Sequence, residues 1–162
     1  MSHVLHWIAV EADTPAEAEA SVLSQLEAQM ERSTWWDWFD DDIGGRWASD
    51  SQTVCASDEA KYAEAIERVK ANRLYEVTTN MERIEMDTVI SLIQNYDGES
   101  MDWDTQMSFF RLRNVCKLLN DDFFNGSYYY DLEAYSTDLK YARERVAKDP
   151  SRQYFVPIDF HY

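Results

Sequence analysis

With 162 residues, 45% of them apolar and 14% aromatic, the chain has enough apolar material to pack one ordinary domain, which excludes intrinsic disorder. Its formal net charge of −16, from 31 Asp and Glu against 15 Lys and Arg, argues against direct nucleic-acid binding, because phosphate contacts need clustered cations. No apolar run approaches the roughly 20 residues that span a bilayer, and Met1 to Trp7 lacks the basic and long apolar regions of a secretion signal, so a cytoplasmic protein is expected.

In chain order, Val4 to Glu11 alternates and is β-prone, which predicts a first strand in the interior of a sheet. Thr14-Pro15-Ala16-Glu17 is a helix start: Thr14 can cap, proline suits the first helical position, and Glu17 can close a capping box. Val22, Leu23, Leu26 and Met30 then give a helix with one buried stripe. Gly44-Gly45 marks a turn, after which Arg46 and Trp47 are expected to open a short strand ended by Asp50-Ser51.

Ser57 or Asp58 caps a second helix reaching about Arg73, with Tyr62, Ile66 and Val69 inward. Leu74 to Thr78 reads as strand or as more helix. A third helix starts at Thr79 or Met86 and runs to Tyr96 on Met86, Val89, Ile90 and Ile93. The chain breaks at Asp97-Gly98-Glu99. A fourth helix follows from Asp104 to Asn120, with Met107, Phe110, Val115, Cys116 and Leu119 along one side. Asn125-Gly126 is a turn signal, and Tyr128 to Tyr130 leans to strand.

A last helix, Ser136 to Lys148, points Leu139 and Val146 inward and displays Lys140, Arg143, Arg145 and Lys148. Gln153 to Tyr162 closes the chain as a strand. Pro157 lacks a donor, so this strand is expected at a sheet edge or with a bulge. The expected class is α+β, with a small, mainly antiparallel sheet from the N- and C-terminal segments and four or five helices between them. It is read as one domain over 1–162, its helical stretch of about 57–150 inserted within the sheet framework.

The candidate chemistry is concentrated in Ser33 to Trp47. Trp35, Trp36, Trp38 and Trp47 either pack under the Gly-Gly turn or meet a partner, since aromatic residues with a polar handle are enriched at interfaces. Asp37, Asp40, Asp41 and Asp42 form either a solvated acidic loop or a surface that imitates phosphates. They lack the twelve-residue pattern and terminal glutamate of a calcium loop. Arg46 either pairs with a neighbouring aspartate and stacks on Trp47, or contacts an anion. His6, Asp159 and His161 are candidate metal ligands or acid–base groups if the first and last strands are neighbours, and they separate if they lie on opposite faces. Cys55 and Cys116 are expected as two reduced thiols. No dinucleotide, P-loop, serine-hydrolase or zincin motif is present, so no catalytic residue is assigned and no cofactor is expected.

Two segments taken together, Trp36 to Trp47 ending in Gly-Gly-Arg-Trp and Val156 to His161 with its Asp-x-His, resemble small proteins encoded by bacteriophages and prophages. The resemblance covers about a third of the chain and implies an origin, not a mechanism. Small phage proteins often act on host machinery or host defence. The functional expectation is therefore an acidic binding protein that inhibits a CRISPR effector or restriction enzyme by occupying its basic surface as a nucleic-acid mimic. Its partner-binding residues would be Trp35, Trp36, Asp37, Trp38, Asp40, Asp41, Asp42 and Arg46. The alternative is a small enzyme or a ligand- or metal-binding protein using His6, Arg46, Asp159 and His161.

Overall fold

The computed structural model describes residues 3–29, 37–95, 102–119, 129–136 and 138–161. Trp35, Trp36, Tyr128, the break at 97–99 and the Asn125-Gly126 turn lie outside them. The fold is α+β. Its elements are β1 (His3–Glu11), α1 (Pro15–Gln29), β2 (Trp38–Phe39), a 3-10 turn (Gly45–Trp47), β3 (Val54–Cys55), α2 (Glu59–Glu82), α3 (Met86–Asn95), α4 (Trp103–Leu119), β4 (Tyr129–Asp131), α5 (Leu139–Lys148), a second 3-10 turn (Pro150–Arg152) and β5 (Gln153–His161).

The frame is the antiparallel pair β1–β5, an unbroken ladder from His3 opposite His161 to Glu11 opposite Gln153. On the other flank of β1, β4 adds in parallel. On the far flank of β5, β2 and β3 both add antiparallel, Trp38 opposite His161 and Val54 opposite Phe155. The sheet is thus mainly antiparallel and built by the two ends of the chain, with β4 joining from the helical middle.

The expectation of an edge strand or bulge at Pro157 is overturned, since β5 lies inside the sheet and its pairing to β1 is continuous. The carbonyls of Gln153, Pro157, Asp159 and His161 all face the β2–β3 flank, where they accept from the backbone N–H groups of Ala56, Gly44, Asp40 and Asp37. In a strand the N–H and C=O of one residue share a flank. The missing donor of Pro157 therefore falls in the gap between the two short strands, where no ladder bond needs it.

Alternation divides the sheet into two faces. On the even-numbered face, Ile8, Val10, Val156, Ile158 and Phe160 pack against Ala18, Val22 and Leu26 of α1. On the odd-numbered face, Trp7, Ala9 and Phe155 pack against Ala65, Ile66 and Val69 of α2 and Leu139 and Ala142 of α5. The outcome is a sheet between two helical layers, with α4 stacked on α2 and α3.

Local chemistry accounts for the helix ends. Thr14 Oγ1 accepts from Glu17 N, and Glu17 reaches back to the N–H of Asp13, one residue before the usual capping-box donor. Asp58, not Ser57, caps α2 by accepting from Lys61 N. Leu74 to Thr78 remains helical, inside a 24-residue α2.

Two expectations are corrected, on α4 and on α5. On α4 the buried positions are Thr105, Ser108, Asn114 and Val115, while Phe110 and Cys116 are exposed; small polar residues let it sit close to its neighbours, and Ser108 Oγ accepts from Glu85 N. On α3 Val89 is buried but Met86, Ile90 and Ile93 are exposed. Arg145 of α5 is not displayed: it turns under the helix to Asp131, 2.6 Å away and fully buried, and donates to Gln153. Among the described residues no helix is long and apolar enough to cross a membrane. Cys55 and Cys116 are free thiols.

Candidate functional site

The site lies at the end of the sheet where β1 begins and β5 ends. His3 and His161 are direct cross-strand partners, and Asp159 is opposite Leu5 on the same face. On the other side of His161 stands Trp38 of β2. Three rings therefore run across three strands. Trp38 lies flat on His161, with centroids 3.3 Å apart and planes 15° apart, and His3 meets His161 at 3.6 Å with an angle of 65°.

Asp159 sits beneath this row, 1% exposed. Its two oxygens share His3, whose Nδ1 is 3.2 Å from Oδ2 and slightly nearer to Oδ1. The Nδ1–H of His3 donates to Oδ1 at 3.1 Å, and Nε2 of His161 lies 4.0 Å from the same oxygen. Oδ2 receives a long hydrogen bond from the backbone N–H of Arg46 at 3.4 Å, with the Arg46 Nε at 3.8 Å. The Arg46 guanidinium also lies over the Trp47 ring, 5.6 Å from its centroid. Arg46 thus pairs with a distant aspartate and not with the acidic run beside it.

The Gly-Gly turn makes this approach possible. Gly44 and Gly45 have φ of 79° and 47°, in the left-handed region that side chains disfavour. A Cβ on Gly45 would stand 2.5 Å from the Cβ of Asp159, and one on Gly44 would stand 2.5 Å from the Ser51 carbonyl oxygen. Only a bare backbone fits at either place. The tight turn continues as the 3-10 turn Gly45–Trp47, so the short strand expected at Arg46-Trp47 does not form. Gly-Gly-Arg-Trp and Asp-x-His, far apart in sequence, are two halves of one contact.

The His161 ring is buried, and among the described residues neither of its nitrogens has a hydrogen-bond partner. Burial and the adjacent His3 hold its imidazole below the ordinary value, against the opposing pull of Asp159 and Asp40. The ring is therefore held toward its neutral form, in which one nitrogen offers a lone pair.

His6 does not join the cluster. It pairs with Ile158, so it shares the even-numbered face with Phe160, whose ring centroid is 5.1 Å away. It is wholly buried, and desolvation lowers its pKa to about 3. His3 takes its place. The signal that finds His3 is parity: in this ladder residues 3, 159 and 161 share a face and residue 6 does not.

The other candidates surround the site. Asp37, Asp41 and Asp42 are exposed, Asp40 is half-buried, and Asp40 Oδ1 accepts from Asp42 N. Trp38 is 41% exposed although stacked on His161, and Trp47 is half-buried. Trp35 and Trp36 lie outside the described residues. Beside His3 a cleft of about 470 Å³ opens between β1 and α2, lined by Leu5, Trp7, Trp47, Ser51 and Arg68. The buried Trp7 Nε1 has no hydrogen-bond partner among the described residues. Arg68 donates to the Asp50 carbonyl and pairs with Glu64. Comparison with known protein families, with curated proteins and with solved structures found no match to this chain.

Proposed function

We propose that the chain is a non-enzymatic binding protein that occupies the basic, nucleic-acid-binding surface of a host protein. A CRISPR effector or a restriction enzyme is the first class of partner to test. The observation that carries this reading is the presentation of Asp37, Asp41 and Asp42. They are exposed on a corner whose backbone is tied to β5 at three points, through the N–H groups of Asp37, Asp40 and Gly44. Carboxylates held this way bind with less loss of freedom than carboxylates on a loose loop. The net charge of −16 supplies long-range attraction to a basic surface. Half-exposed Trp38 adds apolar contact beside the carboxylates, and the resemblance to phage proteins is consistent with a host target.

The test is capture of partners from host lysate at about 50 mM and about 500 mM salt, because charge contacts are screened over roughly 8–10 Å near physiological ionic strength. Nucleic-acid-binding proteins should be retained at low salt, lost at high salt, and displaced by added duplex. Replacing Asp37, Asp41 and Asp42 together with Asn should weaken the complex by at least about tenfold, from roughly half a kcal/mol per charge. Asp40 is left in place because it braces the turn. A complex indifferent to salt, to competing duplex and to the triple substitution would overturn the reading.

A further inference from the structure

We propose that His3, Asp159 and His161 form a binding site for a first-row divalent transition metal of the zinc class. Two imidazoles and a carboxylate are a borderline donor set, suited to zinc, cobalt or iron(II) and poorly suited to calcium or magnesium, which prefer all-oxygen shells. One donor atom from each residue lies within 4.8 Å of the others. With metal–ligand bonds of about 2.0–2.1 Å, tetrahedral donors stand roughly 3.3 Å apart. The His3–Asp159 separation of 3.1 Å already matches, and the His161–Asp159 separation of 4.0 Å closes by a small ring movement.

A second observation is independent of that spacing. His161 is 2% exposed, and among the described residues neither of its nitrogens has a hydrogen-bond partner, which is costly for a buried polar ring unless something else is bound there. The carboxylate is also oriented as a metal ligand would be. Arg46 approaches Oδ2 and steadies the carboxylate, His3 Nδ1 reaches both oxygens at 3.1 and 3.2 Å, and His161 Nε2 faces Oδ1, so Oδ1 is the oxygen open to both histidines. A metal entering between His3 and Asp159 takes the place of the hydrogen in their bond, and His3 passes to its other tautomer. Trp38 covers one side of His161, whereas the cleft reaches His3, so a fourth ligand, water or a small anion, enters from the cleft. Three protein ligands leave one position for an exchangeable water or small anion.

The experiment is a titration of metal-stripped full-length protein with Zn²⁺ and with Co²⁺, followed by calorimetry, by the visible absorption of cobalt and by the imidazole signals in NMR. One equivalent should bind with micromolar or tighter affinity and survive excess Mg²⁺. The His3 and His161 imidazole signals should shift while those of His6 stay in place. H3Q, D159N and H161Q should each weaken binding by at least about tenfold, as loss of one of three ligands requires. The wild-type NMR readout needs no variant, so it decides the matter even if D159N or H161Q fails to fold. Several weak equivalents displaced by Mg²⁺, or zinc binding that leaves His3 and His161 unmoved, would overturn the proposal and assign the metal to surface carboxylates.

Discussion

His6 shows how far burial can override a residue's ordinary chemistry. Its folded pKa of about 3 lies well below the ordinary imidazole value of 6.5, with desolvation as the cause. The unfolded chain therefore binds a proton between these two values while the folded chain does not. Stability should be full above about pH 6.5 and fall as the pH drops toward 3, by roughly 1 kcal/mol per pH unit from this group alone. Urea midpoints of the wild type and of His6→Leu between pH 7.5 and 4.5 isolate that contribution. The wild type should lose the more stability on acidification, and parallel curves would show that His6 carries no such linkage. Asp131 is the opposite case, a buried carboxylate kept company by Arg145 and by the hydroxyl of Tyr129. That hydroxyl is pushed well above its ordinary pKa, mainly by burial and then by Asp131. Arg145 reads as a surface residue in the sequence because a helix with four basic residues gives no sign of which one a strand carboxylate will claim.

Among the elements, the turn at Gly44-Gly45 has the least freedom to change. Gly45→Ala places a methyl group against the Cβ of Asp159 in a backbone conformation that alanine disfavours. It should cost about 1–3 kcal/mol and loosen the Arg46 contact. Denaturant midpoints measure the cost, and a change below a few tenths of a kcal/mol would mean that the turn can shift away from β5. Most of the elements could be read from the sequence: the first strand and its interior place, the capped α1 and α2, and the last strand. What could not be read was decided between elements. Pro157 looked like an edge residue because the sequence does not say that two short strands would leave a gap beside it. The strand expected at Arg46-Trp47 gave way to a 3-10 turn because Gly44 and Gly45 both turn left-handed against β5. Asp159 and His161 were recognisable as a pair from their spacing, but choosing His3 over His6 required the register of β1 on β5, which one residue of slip would reverse.

For the molecule as a whole, the dominant quantity is the excess of carboxylates. Several of the described ion pairs are exposed at both partners, such as Arg68 with Glu64 and Arg152 with Asp13, and pairs of that kind contribute little. Self-repulsion outweighs them at low ionic strength. The thermal midpoint should therefore rise by a few degrees as NaCl goes from about 20 mM to about 500 mM, over which range the screening length shortens to a few ångströms. A falling midpoint would mean that the ion pairs win. The same long-range view applies to the β1–β5 ladder, which joins His3 to Asp159 across 156 positions. On the ribosome β1 emerges first of the described elements and β5 last, so neither core face can close until nearly everything between them has been made. α1 must wait with half of its apolar stripe uncovered, and the Gly-Gly corner has no strand to rest on. Such non-local pairing slows folding, and the waiting chain is the state in which apolar surface is open to aggregation or to a chaperone.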